Sequence, residues 1–223
     1  MGGISDDQVE WAVVHRLKAM LDNPPKTEFN VTQAFAHFTA ILLWTKNRAR
    51  IGDRNPRPDD PGVELRDRLD GATIFDAPWH LSKVHPAFPK APANEFQPEV
   101  GAINGDFEGM TAAQFIKWLR DALAHGDGRS ILPLHKPSVR YDKTWLAGFK
   151  IEFNKDRGSA HTLTLHLYHQ DLIRIGKALA DDFCRELGRD DQRFGAEATK
   201  LVLEAPLSSC RKAGTSAAPG PTY

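Results

Sequence analysis

Cysteine is scarce in this sequence, and its cysteines form no recognisable framework. Of 223 residues only two are cysteines, Cys184 and Cys210, and they lie far apart along the chain. A disulfide-stapled fold uses several closely spaced cysteines, and a structural zinc site uses cysteine pairs at short spacing. The sequence therefore argues against both, and we expect no bound metal and no other cofactor.

A net charge and a long apolar run are also missing. Lys plus Arg and Asp plus Glu each number 29, so the formal net charge is zero. No overall field then favours coating of nucleic acid or membrane, although a local basic patch remains possible. No apolar run is long enough to span a bilayer, and the first residues lack the basic and apolar regions of a signal peptide. We therefore expect a cytoplasmic protein without membrane contact.

The common motifs of nucleotide and serine hydrolases are absent as well. The chain has no GxxxxGK[ST] loop, no GxGxxG following a strand and no GxSxG turn. These motifs position phosphate groups or a nucleophilic serine through glycine-rich backbone. Nucleotide-hydrolase and serine-hydrolase functions thus lack support.

Helical periodicity is what the sequence does contain. Apolar residues recur at helical spacing over residues 6–21, from Asn30, from Thr111 and over about 171–187. The strings NVTQ and TAAQ, which begin the second and third segments, have the capping-box pattern of a cap residue with Gln three positions later. Gly126 follows the third segment as a natural C-terminal cap. Four packed helices are predicted.

Two stretches of alternating apolar and polar residues predict one β-hairpin before the last major helix. They cover residues 149–153 and 163–167, and the segment between them has turn chemistry. Eight of the fifteen prolines fall between residues 51 and 107. Such density excludes long helices, so we interpret this segment as a long Pro-rich insertion, ordered or partly mobile. The prediction is a mainly α, single domain over residues 1–204, with a disordered tail over 205–223.

The candidate site lies in LRDALAHGDG, residues 119–128, at the end of the third helix. Asp121 and His125 are four residues apart on one face, so the carboxylate can bond the imidazole, fix its tautomer and favour its protonated form. Arg120 and His125 lie about 140° apart around the axis, so one regular helix does not aim both at one point. Arg120 joins His125 if the helix unwinds at His125-Gly126, or if a symmetric partner brings a second copy. By itself the Arg–His pair is more typical of an ordinary helix end.

The wider string FIKWLRDALAHGDGRSILPLH resembles the HEPN superfamily, whose ribonuclease members carry Arg, a polar residue, a short spacer and His near a helix end. In RDALAH these are Arg120, Asp121 in place of the frequent Asn, three spacer residues and His125. The stretch LAGFKIEFN…LTLHLYHQDLIRIGKALA is also similar to bacterial HEPN relatives. The resemblance covers residues 6–50 and 108–187, and it implies a HEPN-like four-helix bundle.

This resemblance implies a metal-independent endoribonuclease in which the 2′-OH of RNA attacks the adjacent phosphate. His125 would transfer protons, Arg120 would stabilise the charge of the transition state, and Asp121 would orient His125. Family members typically build a composite site at a homodimer interface. They are often paired with a nucleotidyltransferase-type antitoxin, so a toxin or defence role and such a partner are implied too.

Two other function classes remain open from the sequence. One is a non-catalytic HEPN-like module that binds RNA, a nucleotide or a protein. The other is a purely structural helical domain. Family members without catalysis typically lose the motif, so its presence favours the enzyme.

Cations near the candidate site suggest contacts with an RNA backbone. The string KNRARIGDRNPR, residues 46–57, contains Lys46, Arg48 and Arg50 among five cations and has one acid. The same cations fit a solvated helix end that complements the helix dipole. Arg129, just after the glycines, is a candidate phosphate contact or a solvated loop residue.

Overall fold

The computed structural model of the protein describes residues 9–24, 29–53, 57–58, 60–83, 102–104, 109–125, 130–137, 144–154 and 162–190. Helices predominate, as the periodicity predicted. In chain order the elements are α1 Val9–Asp22, α2 Asn30–Arg48, α3 Val63–Gly71, β1 Ser82–Lys83, β2 Ala102–Asn104, α4 Ala112–His125, β3 Ile131–Pro137, β4 Thr144–Asn154, β5 Thr162–Tyr168 and α5 His169–Asp190.

The four long helices share one apolar core with the sheet. Helix α5 packs against α1 and α2, and α4 packs against α2, α3 and β4. Phe38 of α2, Phe115 of α4 and Phe183 of α5 are fully buried at the centre. Gly176 permits close approach of α5, since a Cβ there would lie 2.8 Å from Leu21 Cδ1. Among the helices of the described residues, none is long and apolar enough to cross a membrane.

The predicted hairpin is present as β4 and β5, with Ile151 opposite Leu165. It belongs to a larger sheet with the strand order β1-β2-β5-β4-β3. Only β1 and β2 pair in parallel, and the other neighbours are antiparallel. The prediction of a single hairpin was therefore incomplete. It missed β3 because Pro133 and Pro137 argue against a strand, yet β3 lies at the sheet edge, where a missing N–H is tolerated.

The Pro-rich segment is more than an insertion. Its described part contains α3, which had been expected as one short helix, and the turn that follows it. Leu65, Leu69, Ile74, Trp79 and Leu81 are all buried in the common core. Prolines do prevent long helices here, but they do not prevent a short helix and a turn from packing. The described part of the segment is thus a structural layer of the domain.

The two predicted capping boxes have different outcomes. At α4, Thr111 N donates to Gln114 Oε1 and Gln114 N donates to Thr111 Oγ1, both at 3.2 Å, so this box is confirmed. At α2 the cap residue is Phe29, without a side-chain cap. Asn30 instead accepts a 2.8 Å bond from the adjacent Val31 N. The second box was wrong because the helix begins with Asn30 already inside its first turn.

Replacing Thr111 with alanine is expected to lower the free energy of unfolding by about 1 kcal/mol, because a cap bond to the first turn of α4 is lost. Thr32→Ala is the matched control, since Thr32 is exposed in the first turn of α2 and is not its cap residue. Urea unfolding followed by circular dichroism measures both variants. Equal losses in the two variants would contradict the capping role.

The predicted disordered tail over residues 205–223 lies outside the described residues. The same holds for residues 191–204 of the predicted domain.

Candidate active site on helix α4

Helix α4 is held by one apolar face, and this fixes which of its side chains reach solvent. Phe115, Ile116 and Leu119 are fully buried in the core. At 3.6 residues per turn, the opposite face carries Lys117, Asp121 and the end of the helix. The buried face therefore presents the polar half of the candidate motif outwards.

His125 is exposed and is the last residue of α4. Because α4 remains helical through His125, the angle of about 140° between Arg120 and His125 is retained. Their Cα atoms are also offset by about 7.5 Å along the axis. The chain does not unwind at His125, so a single copy does not direct both side chains at one point. Arg129 lies outside the described residues.

Asp121 contacts Arg120. Arg120 Nη1 donates a hydrogen bond to Asp121 Oδ1 at 2.8 Å. Within the described residues no hydrogen bond joins Asp121 to His125, so the expected orientation of His125 by Asp121 is corrected. The long Arg120 side chain reaches back across the helix surface, and its fixed charge is a stronger partner for a carboxylate than a neutral imidazole one turn away.

The Arg120 guanidinium has a second unusual feature. Its side chain is 33 % exposed. The Nε atom, however, is buried and makes no hydrogen bond with any of the described residues. Buried donors are nearly always paired, so an unpaired one on a charged group calls for an explanation.

Lys117 is a cation that sequence reasoning missed. It is exposed on α4 and lies three and four residues before Arg120 and Asp121, hence on the neighbouring surface. Its stem lies over Gly52, where a Cβ would be 3.2 Å from Lys117 Cε. Gly52 has φ of 92°, which also favours glycine. The helical spacing could have identified Lys117, but its seat on Gly52 is a tertiary contact.

The same contact brings the end of the predicted basic stretch close to α4. Two of its cations are nevertheless paired with acids. Arg48 Nη1 lies 3.7 Å from Glu10 Oε2, and Arg50 Nη1 lies 3.1 Å from Asp60 Oδ1. Lys46 is half-buried on α2. Arg48 and Arg50 therefore carry less unbalanced charge toward a nucleic acid than their spacing in the sequence indicated.

Two other titratable groups, both away from α4, are kept neutral near pH 7. Burial, with a smaller effect of Lys150, lowers the pKa of His166 to about 4. His166 pairs with Lys150 on the sheet face opposite Leu165, as its place in the alternating pattern predicted. Burial and then Asp181 raise the pKa of the Cys184 thiol to about 12. Cys184 is thus poorly suited to act as a nucleophile, and His166 as a base of ordinary strength.

Comparison with known proteins adds no relative to this geometry. No protein-family model, curated protein or solved structure matches the chain. The functional argument accordingly depends on the motif and on the surface of α4.

Proposed function

We propose that this protein is a HEPN-type endoribonuclease that cleaves RNA without a metal ion, through attack of the 2′-OH on the adjacent phosphate. The observation that carries the proposal is the surface of α4. It combines a half-buried Arg120, whose Nε lacks an acceptor among the described residues, with an exposed His125 five residues later. An anion-binding fork and a proton-transfer group are what phosphodiester transfer requires.

The proton balance assigns a role to each side chain. A neutral His125 takes the proton of the 2′-OH while the 2′-oxygen forms a bond to phosphorus. The bond from phosphorus to the 5′-oxygen breaks, and a protonated histidine gives that oxygen a proton. The products are a 2′,3′-cyclic phosphate and a 5′-OH. Arg120 stabilises the additional charge on the phosphorane, since guanidinium stays protonated and fits two phosphate oxygens.

A homodimer supplies both histidines. In one chain Arg120 and His125 diverge around α4, so a second copy related by two-fold symmetry is the simplest source of the complementary pair. A HEPN-like bundle of the four long helices, with the composite site between two copies, is part of the proposal. So are a role as a toxin or defence effector and a nucleotidyltransferase-type antitoxin as partner.

The purified protein is expected to cleave an RNA oligonucleotide in the presence of EDTA and to leave the all-2′-deoxy oligonucleotide of the same sequence intact. The deoxy strand is the control because it lacks only the attacking group. Gel electrophoresis measures cleavage, and mass spectrometry identifies the ends as 2′,3′-cyclic phosphate and 5′-OH.

Other results would assign a different function. Cleavage of the deoxy strand, or 5′-phosphate ends, would exclude attack by the 2′-OH. Binding of RNA without cleavage would favour the non-catalytic HEPN-like module. Neither binding nor cleavage would leave a nucleotide- or protein-binding module or a structural domain.

A further inference from the structure

The Arg120 guanidinium is occupied on one side and open on the other. Asp121 Oδ1 accepts from Nη1 at 2.8 Å. Nε makes no hydrogen bond with the described residues, although it is buried from solvent. Asp121 thus fixes one end of the planar group and leaves the edge that contains Nε without an acceptor.

That open edge has the geometry of an anion site. A guanidinium presents its N–H groups in a rigid plane, and the Nε–H and Nη2–H bonds point in parallel. Two oxygens of one phosphate group can accept both bonds at once. Because Asp121 binds Nη1, it does not compete for this edge. Ordinary rotation of a solvated arginine would spread the same donors over many directions.

We propose that Asp121 is a positioning residue for Arg120, and that the Nε–Nη2 edge of Arg120 binds the non-bridging oxygens of one phosphate group of RNA. This inference rests on the proposed ribonuclease function and assigns Asp121 a role different from orienting His125. Asp121 acts by holding the guanidinium in place, whereas Arg120 touches the substrate.

Two substitutions of Asp121 separate positioning of Arg120 from action on His125. Asp121→Ala removes the acceptor, and kcat is expected to fall roughly 100-fold, as misplaced catalytic groups cause. Asp121→Asn keeps an oxygen that accepts from Nη1, and it recovers most of the activity, because a neutral hydrogen bond is roughly half as strong as a charged one. The pH profile of kcat keeps its wild-type midpoint in Asp121→Asn.

Asp182 provides the matched control. Its Oδ1 accepts from Arg185 Nη1 at 3.0 Å on the surface of α5, so it has the same kind of aspartate–arginine bond away from α4. Asp182→Ala is expected to retain wild-type kcat and the wild-type pH profile. A similar fall in Asp182→Ala and Asp121→Ala would show a general effect of lost surface ion pairs and would overturn the inference.

Binding is measured separately from cleavage with a 2′-O-methyl RNA oligonucleotide, which lacks the attacking hydroxyl. In nitrogen-15 NMR spectra the Arg120 Nε–H resonance is expected to shift in wild type, and to shift less at the same oligonucleotide concentration in Asp121→Ala. If wild type shows this shift but never cleaves RNA, the proposed function fails and the phosphate site stands. If wild type cleaves RNA and the resonance does not shift, or if Asp121→Asn moves the pH midpoint downward, the inference fails.

Discussion

Replacing His125 with alanine is expected to remove at least about 100-fold of the RNA-cleaving activity, which is the lower range for loss of a general acid–base group. His125 is exposed at the last residue of α4 and has no packing role in the core. The free energy of unfolding should therefore change by no more than about 0.5 kcal/mol. Loss of activity without loss of stability is the pattern that distinguishes a catalytic side chain from a helix end.

His135→Ala is the matched control, because His135 is also exposed but lies on β3. It is expected to cleave RNA at the wild-type rate. Initial cleavage rates and urea unfolding should be measured on all three proteins. A folded His125→Ala variant that cleaves at the wild-type rate would overturn the assignment of His125.

Arg120→Ala provides a test of the composite site. Mixed with His125→Ala, it can form heterodimers in which one site retains one Arg120 and one His125. Partial recovery of cleavage in the mixture is expected if the site spans two copies. No recovery, despite exchange of subunits, would place the whole reaction within one chain.

Replacing Trp79 with alanine is expected to lower the free energy of unfolding by about 3–5 kcal/mol, the range for aromatic residues deleted from a core. Trp79 is 0 % exposed, and its ring meets Phe115 edge-on with 5.0 Å between ring centroids. The preceding Pro78 carbonyl also accepts a hydrogen bond from Arg174 of α5. Trp79 thus connects the Pro-rich segment to α4 and α5, and its loss leaves a large cavity beneath the helix that carries the candidate site.

Trp145→Ala is the control for tryptophan chemistry, since Trp145 is 44 % exposed on β4. It should cost less than half as much stability as Trp79→Ala, because less of its surface is buried on folding. Urea unfolding gives both values. Comparable costs would mean that the Pro-rich segment is an appended loop and does not belong to the core.

The features predicted well from sequence depend on neighbours along the chain. The face of α5 formed by Leu172, Ile175, Leu179 and Phe183 is buried as its spacing indicated. The capping box of α4 closes between Thr111 and Gln114, three residues apart. The β4–β5 hairpin follows from alternation around a turn. In each case the energy that selects the structure comes from groups a few residues apart, so the pattern can be read directly.

The features that sequence reasoning missed depend on distant partners. Pro133 and Pro137 disfavour a strand until the sheet places β3 at an edge. Trp79 carries no periodic signal, and it becomes a core residue only because Phe115, 36 positions later, packs against it. Arg48 and Arg50 look like a basic patch until the fold brings Glu10 and Asp60 beside them.

The candidate site divides along the same line. The sequence by itself determined that Arg120, Asp121 and His125 share the end of one helix, and helical geometry separated Arg120 from His125 by about 140°. Only the tertiary structure decided that Asp121 pairs with Arg120, that the Arg120 Nε is buried without an acceptor among the described residues, and that Lys117 lies over Gly52. The physical reason is that spacing restricts which side chains can meet, whereas burial and competing charges select the pairs that do.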